Sequence, residues 1–236
     1  MPMIRVHIRF FAGHRDIVGQ PEMTLVLEPG TTVGMLWERL SSEHPRLRGY
    51  TGRLLYAVNQ QFSDLATELR DGDEVAYIPP VSGGTDANIP DSSAPASYVD
   101  IAPFVITTAP LDPMPLIRYV QTAGDGAIVT FAGVVRDHFA GRATAYLIYE
   151  AYAEMVVPVL QQLADEARSR WPIGRIAVHH RVGRLEIGET AVLVVVAAPH
   201  RQAAFAASEY IMDRIKEVAP IWKREHWADG QHEWRE

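Results

Sequence analysis

The sequence predicts an α+β chain of two domains, and three observations carry that prediction. Residues 83–98, GGTDANIPDSSAPASY, are rich in Gly, Ser, Ala, Pro and Asp, and Ile89 is the one aliphatic side chain there larger than alanine. This is linker composition. Ahead of it, short alternating strands surround a single helix pattern in the order β-β-α-β-β. After it, helices of 3.6-residue periodicity alternate with strands, one of them apolar at nearly every position. The expected divisions are a first domain over residues 1–84, a linker over 85–98 and a second domain over 99–236, both domains of ordinary size.

In the first domain, Ile4, Val6, Ile8 and Phe10 alternate with Arg5, His7 and Arg9, the pattern of a half-buried strand. Met23, Leu25 and Leu27 continue the alternation, and Pro29-Gly30 ends it. Thr31 or Thr32 can cap a helix whose apolar face is Val33, Leu36, Trp37 and Leu40. Leu54–Val58 reads as a short strand, Asp71-Gly72 as a turn, and Glu74–Ile78 as the last strand. Pro79-Pro80 stops it and leaves the tail Val81-Ser82-Gly83-Gly84.

In the second domain, Asp112–Thr122 reads as a helix with Pro113 in its first turn. Ala127–Val135 and Ala145–Ala151 read as strands. Met155–Arg170 is an amphipathic helix with Val156, Val159, Leu160, Leu163 and Ala167 on one face. Ile176–Val182 and Ala191–Ala198 are strands, the second apolar enough to be buried on both faces. His200–Val218 is a long helix that must end before Pro220, and Ile221–Trp227 returns as a strand. This domain reads as α+β or α/β.

Composition removes whole classes of function. The chain has no cysteine, so it holds no disulfide, no thiolate metal or iron–sulfur site, no cysteine nucleophile and no persulfide carrier. The net charge is −7, with eight basic and ten acidic residues up to residue 84 and fourteen and nineteen beyond it. Neither half offers a broad surface for nucleic acid or membrane. Residues 1–10 lack the apolar core of a secretory signal. The longest apolar run, Ala191–Pro199, is far short of the ~20 residues that span a bilayer. A cytoplasmic protein is expected. Neither an HExxH spacing nor a comparable ligand pattern occurs, and His179 and His180, as strand neighbours, face opposite sides, so no metal is expected.

Four features can carry chemistry. A diglycine after a final strand has no side chains and can thread a narrow channel; its plain alternative is the start of a flexible linker. His200-Arg201 stands at a helix N-terminus, where backbone N–H groups already favour anions; its alternative is an exposed pair on a first turn. Of 22 basic residues only Lys216 and Lys223 are lysine. Lysine can lose its proton when buried and act as base or nucleophile, which arginine cannot. Lys216 alternatively only complements a helix dipole, and both lysines alternatively survive by chance in an arginine-biased chain. Arg136, past the strand 127–135, can reach an anionic ligand or stay in solvent.

Several blocks together resemble one enzyme family. The stretches VHIRFFAGHRDIVG, LLYAVNQ and LRDGDEVAYIPPVSGG resemble the small, ubiquitin-like subunit of molybdopterin synthase. The stretches VTFAGVVRDHFAGR, YEAYAEM, RWPIGRIAVHHRVGRLEIGE, PHRQAAFAASEYIMDRIKEVAPIWKRE and DGQHEW resemble its large, catalytic subunit. The resemblance covers nearly all of the chain outside the linker. It implies an N-terminal ubiquitin-like β-grasp domain and a C-terminal α/β large-subunit domain. It implies that Gly84, once freed, carries sulfur as a C-terminal thiocarboxylate, loaded by a ubiquitin-activating-type adenylyltransferase and a sulfur donor, with no tightly bound cofactor. The large subunit would transfer two sulfurs to cyclic pyranopterin monophosphate (precursor Z), making the dithiolene of molybdopterin. By motif position Lys216 and Lys223 match the family's catalytic lysines. Arg136, His200 and Arg201 match its substrate-anion contacts, Arg224 and Glu225 lie beside them, and Val134 and Val135 line the same strand end. A homodimer of large subunits is implied.

Two departures from the family pattern follow. Thr85 continues the chain beyond Gly84, and a peptide carbonyl cannot be adenylated as a free carboxylate can, so a processing protease is expected to cut there. The family's large subunit also runs further and supplies a basic contact across its dimer; either Arg235 replaces it or the contact is missing. Two other readings stay open at this point. One is an uncleaved ubiquitin-like carrier or interaction module fused to a pterin-binding domain and inactive as a synthase. The other is an uncleaved storage form.

Overall fold

A computed structural model of the chain describes residues 2–79 and 101–235, which form two compact units on either side of the gap. The diglycine Gly83-Gly84, Thr85 and the expected linker lie outside the described residues.

The first unit begins with β1 (Ile4–Phe10), α1 (Ala12–Val18) and β2 (Glu22–Leu27), followed by α2 (Val33–Glu43) and a 3-10 turn over Pro45–Tyr50. It closes with β3 (Leu55–Val58), β4 (Gln61–Ser63) and β5 (Glu74–Ile78). The sheet order is β2-β1-β5-β3-β4, with β1 and β5 parallel at the centre and the other pairs antiparallel. The predicted period-2 faces are those observed: Val6, Ile8 and Phe10 are buried together with Val33, Leu36, Trp37, Leu40 and Tyr77. Thr32 is the cap of α2, its hydroxyl accepting the Met35 N–H at 3.3 Å. Asp71-Gly72 turns as expected: Gly72 has φ 87°, and Asp71 Oδ1 accepts the Arg5 N–H at 2.7 Å. This is the ubiquitin-like β-grasp arrangement.

The sequence pattern missed α1. It spans seven residues, contains Gly13, has no side-chain cap, and is closed by Gly19 in the left-handed region at φ 84°. Its stability comes from packing, with Ala12 and His14 buried. Strand β4 and the 3-10 turn were missed for want of any period long enough to read.

The second unit opens with β6 (Phe104–Thr107), α3 (Pro113–Val120), β7 (Ala127–Val134), β8 (His138–Phe139), β9 (Arg142–Ala151) and α4 (Ala153–Arg170). It continues with β10 (Ile176–Arg181), β11 (Gly183–Glu186), β12 (Thr190–Ala198), α5 (Arg201–Val218), β13 (Ile221–Trp227) and β14 (His232–Arg235). One sheet runs β6-β10-β12-β7 and the other β11-β9-β13-β14, with β8 paired to β9. Strand β12 is buried at every position after Thr190, as its unbroken apolar run required. Its partners β10 and β7 are both antiparallel to it. Helix α5 lies against β12 and β7, and α4 packs on α5. Asp112 caps α3 through its carboxylate, which accepts the Met114 N–H at 2.9 Å. The short strands β6, β8, β11 and β14 were not predicted, since four residues or fewer give no periodicity. Among the described residues no helix is long and apolar enough to cross a membrane.

Candidate active site

Strand β13 organises the site by simple alternation. Lys223 and Glu225 point to one side of the sheet, and Arg224 and His226 to the other. Register then sets the neighbours: Lys223 stands opposite Tyr149 of β9 and opposite Arg235 of β14. The β8–β9 hairpin brings Phe139 to the same place. Lys223 Nζ is 5.7 Å from the Phe139 ring centroid, and the guanidinium carbons of Arg136 and Arg235 are 5.7 Å and 4.7 Å from it. Three cations therefore surround one aromatic ring, each within cation–π range. Arg235 is held by Glu233 at 3.1 Å, while its Nε is buried without a partner among the described residues.

The electrostatics make Lys223 unusual. Burial holds its pKa below the ordinary lysine value, Glu225 opposes that, and Arg136, Arg235 and Lys216 add to it by repulsion. Its amine is therefore more readily deprotonated than a surface lysine's. Lys216 sits in the last turn of α5, half exposed, with Nζ 3.9 Å from the Asp213 carboxylate. Glu225 is the anion behind this cluster. It is 3% exposed, and the Thr144 hydroxyl donates to its Oε1 at 2.5 Å. Burial first, and then the Glu225 charge, push the Tyr149 hydroxyl up to about 12. Tyr149 stays neutral and rests on an apolar floor of Val135, Leu147, Leu185 and Ala191.

The remaining sequence candidates fall elsewhere. Arg224 is on the opposite face of β13, with its guanidinium 5.2 Å from the Trp234 ring centroid. Val135 is buried in the floor and its backbone is committed, its N–H to Glu189 and its carbonyl to Gly188. Val134 is exposed at the end of β7. His200 and Arg201 lie at the far end of the sheet. The β12–β7 ladder pairs Thr190 with Val134 and Ala198 with Ala127, and eight residues of strand separate these ends by about 23 Å. Helix α5 bridges the same gap, with Arg201 at its start and Lys216 about 22 Å along its axis. One chain thus holds two cationic clusters, Arg136, Lys216, Lys223 and Arg235 at one end and His200 and Arg201 at the other. Gly84 lies outside the described residues. Phe139, Thr144 and Tyr149 were missed by sequence reasoning. Alternation along residues 142–151 would have put Thr144 and Tyr149 on opposite faces, and a β-bulge at Trp227, which faces Thr144, is what brings both to Glu225.

A β-grasp unit followed by an α+β unit with a desolvated lysine among arginines defines a ubiquitin-like domain joined to an α+β domain that presents a cationic site. Comparison with known proteins fits both parts. The ThiS family matches residues 8–84 and the MoaE protein family residues 106–218. The molybdopterin synthase catalytic subunit of Nostoc sp. is 43% identical over 132 residues, covering 56% of this chain and 80% of that one. The Bacillus subtilis protein of the same name is 44% identical over 128 residues, covering 54% and 82%. The crystal structure of molybdopterin synthase from Staphylococcus aureus superposes with a TM-score of 0.55 at 39% identity, covering 58% of this chain and 98% of that one. The chain belongs to the molybdopterin synthase catalytic subunit family, and it carries a ThiS-family domain ahead of that subunit.

Proposed function

We propose that the chain is a molybdopterin synthase, a sulfurtransferase with sulfur carrier and catalyst encoded in one polypeptide. After a protease frees Gly84, an adenylyltransferase activates its carboxylate and a sulfur donor converts it to a thiocarboxylate. The thiocarboxylate sulfur bonds to a carbon of precursor Z as a C–O bond at that carbon breaks, the oxygen leaving as water or remaining on the opened phosphate ester. Water then attacks the Gly84 carbonyl and breaks the acyl–sulfur bond, which returns Gly84 as a carboxylate and leaves sulfur on the substrate. A second loaded carrier repeats the step to complete the dithiolene. The observation that carries this reading is Lys223: an amine whose pKa burial and neighbouring cations lower, set among cations that suit a phosphate ester and readier than a surface lysine to give up and take back a proton. Lys216 stands by as a second cation or as a covalent partner for the acyl group.

The two-ended distribution of cations supports a homodimer. Strand β7 is the edge of its sheet, and Phe131 and Val134 on it are 39% and 49% exposed, an apolar edge that invites a protein partner. In this reading His200 and Arg201 of the partner subunit complete the anion site around Lys223.

The test is conversion of precursor Z to molybdopterin by chain isolated from its native host, incubated with a sulfur-loading system, with the mass of residues 1–84 recorded in parallel. Oxygen-to-sulfur exchange at Gly84 together with product is expected. Activity in a preparation that contains only uncleaved chain would overturn the processing step, and processed, thiolated chain that makes no product would overturn the synthase reading.

A further inference from the structure

Phe139 is the aromatic ring shared by three of the four cations at the Lys223 end, Arg136, Lys223 and Arg235. It is half-buried and closes a two-residue hairpin in which it pairs with Arg142. The hairpin turn is Ala140-Gly141, with φ 49° and 79°. Two left-handed residues in succession are what a tight hairpin demands, and alanine adopts that conformation only at a cost. The hairpin is also anchored. Arg142 donates to Asp229 at 2.8 Å and to Gln231 at 2.9 Å, and its guanidinium lies 4.4 Å from the Trp227 ring centroid. Those residues end β13 and turn into β14, the two strands that carry Lys223 and Arg235. The ring of Phe139 is thus fixed against the strands whose cations it faces.

We propose that Phe139 is a positioning residue of the sulfur-transfer site, its ring the common seat that holds the Lys223 amine between the guanidinium groups of Arg136 and Arg235. Its role in turnover rests on the synthase reading, whereas its geometry does not. Among the described residues, neither Arg136 nor Lys223 forms an ion pair that would orient it, while Arg235 pairs with Glu233 and also lies 5.5 Å from the Trp227 ring centroid. An aromatic face attracts cations without neutralising them. It can therefore gather positive charge at one place while leaving that charge free for an anionic substrate, which a carboxylate in the same position would not.

The two-lysine composition makes the test direct. Protein labelled with 13C and 15N at lysine gives two side-chain signal sets, assigned by the loss of one in Lys216→Arg. In the wild-type chain a nuclear Overhauser contact between the Lys223 side chain and the Phe139 ring is expected, and its absence overturns the proposal without any variant. In Phe139→Leu the apolar bulk stays and the π face goes. The Lys223 signals are expected to move and their titration to shift to lower pH, while Lys216 is unchanged. The groups facing Lys223 are Glu225 on its own strand, Tyr149 on β9, Arg235 on β14, Arg136 before β8 and Lys216 on α5. All of them are retained, so the shift reports the ring. Phe139→Tyr, which keeps the face, is expected to restore the wild-type titration. A Phe139→Leu chain with Lys223 signals and titration unchanged overturns the proposal even if the enzyme is active. In turnover, Phe139→Leu is expected to lower kcat about ten- to a hundredfold through misplacement of the amine. Failure of the wild-type chain to make molybdopterin would overturn the synthase reading and leave the nuclear magnetic resonance result standing.

Discussion

Replacing Lys223 with methionine should stabilise the protein while abolishing sulfur transfer. Methionine keeps the length of the lysine stem and removes its charge. In the folded chain that charge is partly desolvated and faces Arg136 and Arg235, with Lys216 also near. Glu225 and the Phe139 ring offset part of the cost. Replacing a fully enclosed ion pair with apolar groups gains about 1–4 kcal/mol. Lys223 keeps some contact with water and has one anion nearby, so the gain expected here is about 1–2 kcal/mol, at the low end of that range. For a unit of this size that raises Tm by roughly 3–10 °C. The gain should also depend on pH. The depressed pKa means that the unfolded chain binds the Lys223 proton more tightly than the folded chain does. Wild-type stability therefore rises with pH from the folded pKa up to the unfolded value of about 10.4. The advantage of Lys223→Met is full below the folded pKa and shrinks across that window. The assay is calorimetry of the full chain at pH 7 and at higher pH, following the transition of the C-terminal unit, alongside molybdopterin formation. A lower Tm for Lys223→Met at pH 7 would show a cation that the fold needs, and would refute the account of a strained, poised amine.

Other perturbations test neighbouring parts of the structure. Thr144→Val keeps the shape but leaves the buried Glu225 carboxylate without the hydroxyl that bonds it at 2.5 Å; a loss of about 1–3 kcal/mol is expected in urea unfolding, and no loss would remove Thr144 as its partner. Gly126→Ala places a methyl group 2.5 Å from the Pro199 carbonyl oxygen, just before His200 and Arg201. About 1–3 kcal/mol of destabilisation is expected, with KM for precursor Z raised more than kcat is lowered. In the N-terminal unit, burial holds the His14 imidazole down to about 4. The unfolded chain takes up that proton first as pH falls from 6.5 to 4, so about 3 kcal/mol of stability should be lost across the interval. Denaturant unfolding of that unit in His14→Phe should show a flatter pH dependence, and an equal slope would acquit His14.

Much of the fold was legible in local pattern because its long elements obey one period. The eight-residue apolar run Ala191–Ala198 could only be a strand enclosed on both sides, and the helix ending before Pro220 followed from the proline alone. The site was less legible because strands, not the linear motif, assemble it. The stretch KEVAPIWKRE places Lys216, Lys223, Arg224 and Glu225 together in the sequence. Period-2 geometry turns Arg224 away, and the register of β13 against β14 supplies Arg235 instead. His200 and Arg201 share a helix with Lys216, yet the length of α5 sets them at the opposite end. Phe139 carried no signal, since a two-residue strand has no pattern and its importance comes from what β13 and β14 bring to it.

The choice of cation on the N-terminal unit has a consequence for chemical fidelity. Its eight basic residues are all arginine, as in the Arg9 that pairs with Glu74 at 3.7 Å between the parallel central strands β1 and β5. An activated glycine acylates amines readily and guanidinium groups hardly at all near neutral pH. In the proposed reaction that domain therefore offers no lysine amine to intercept the acyl group of a neighbouring carrier, so carriers are not linked to one another through lysine. In the proposed reaction the lysine amines able to compete for the activated carboxylate are Lys216 and Lys223, both at one end of the C-terminal unit. Arginine keeps the surface charged while giving a terminus activated as proposed no amine on which to be wasted.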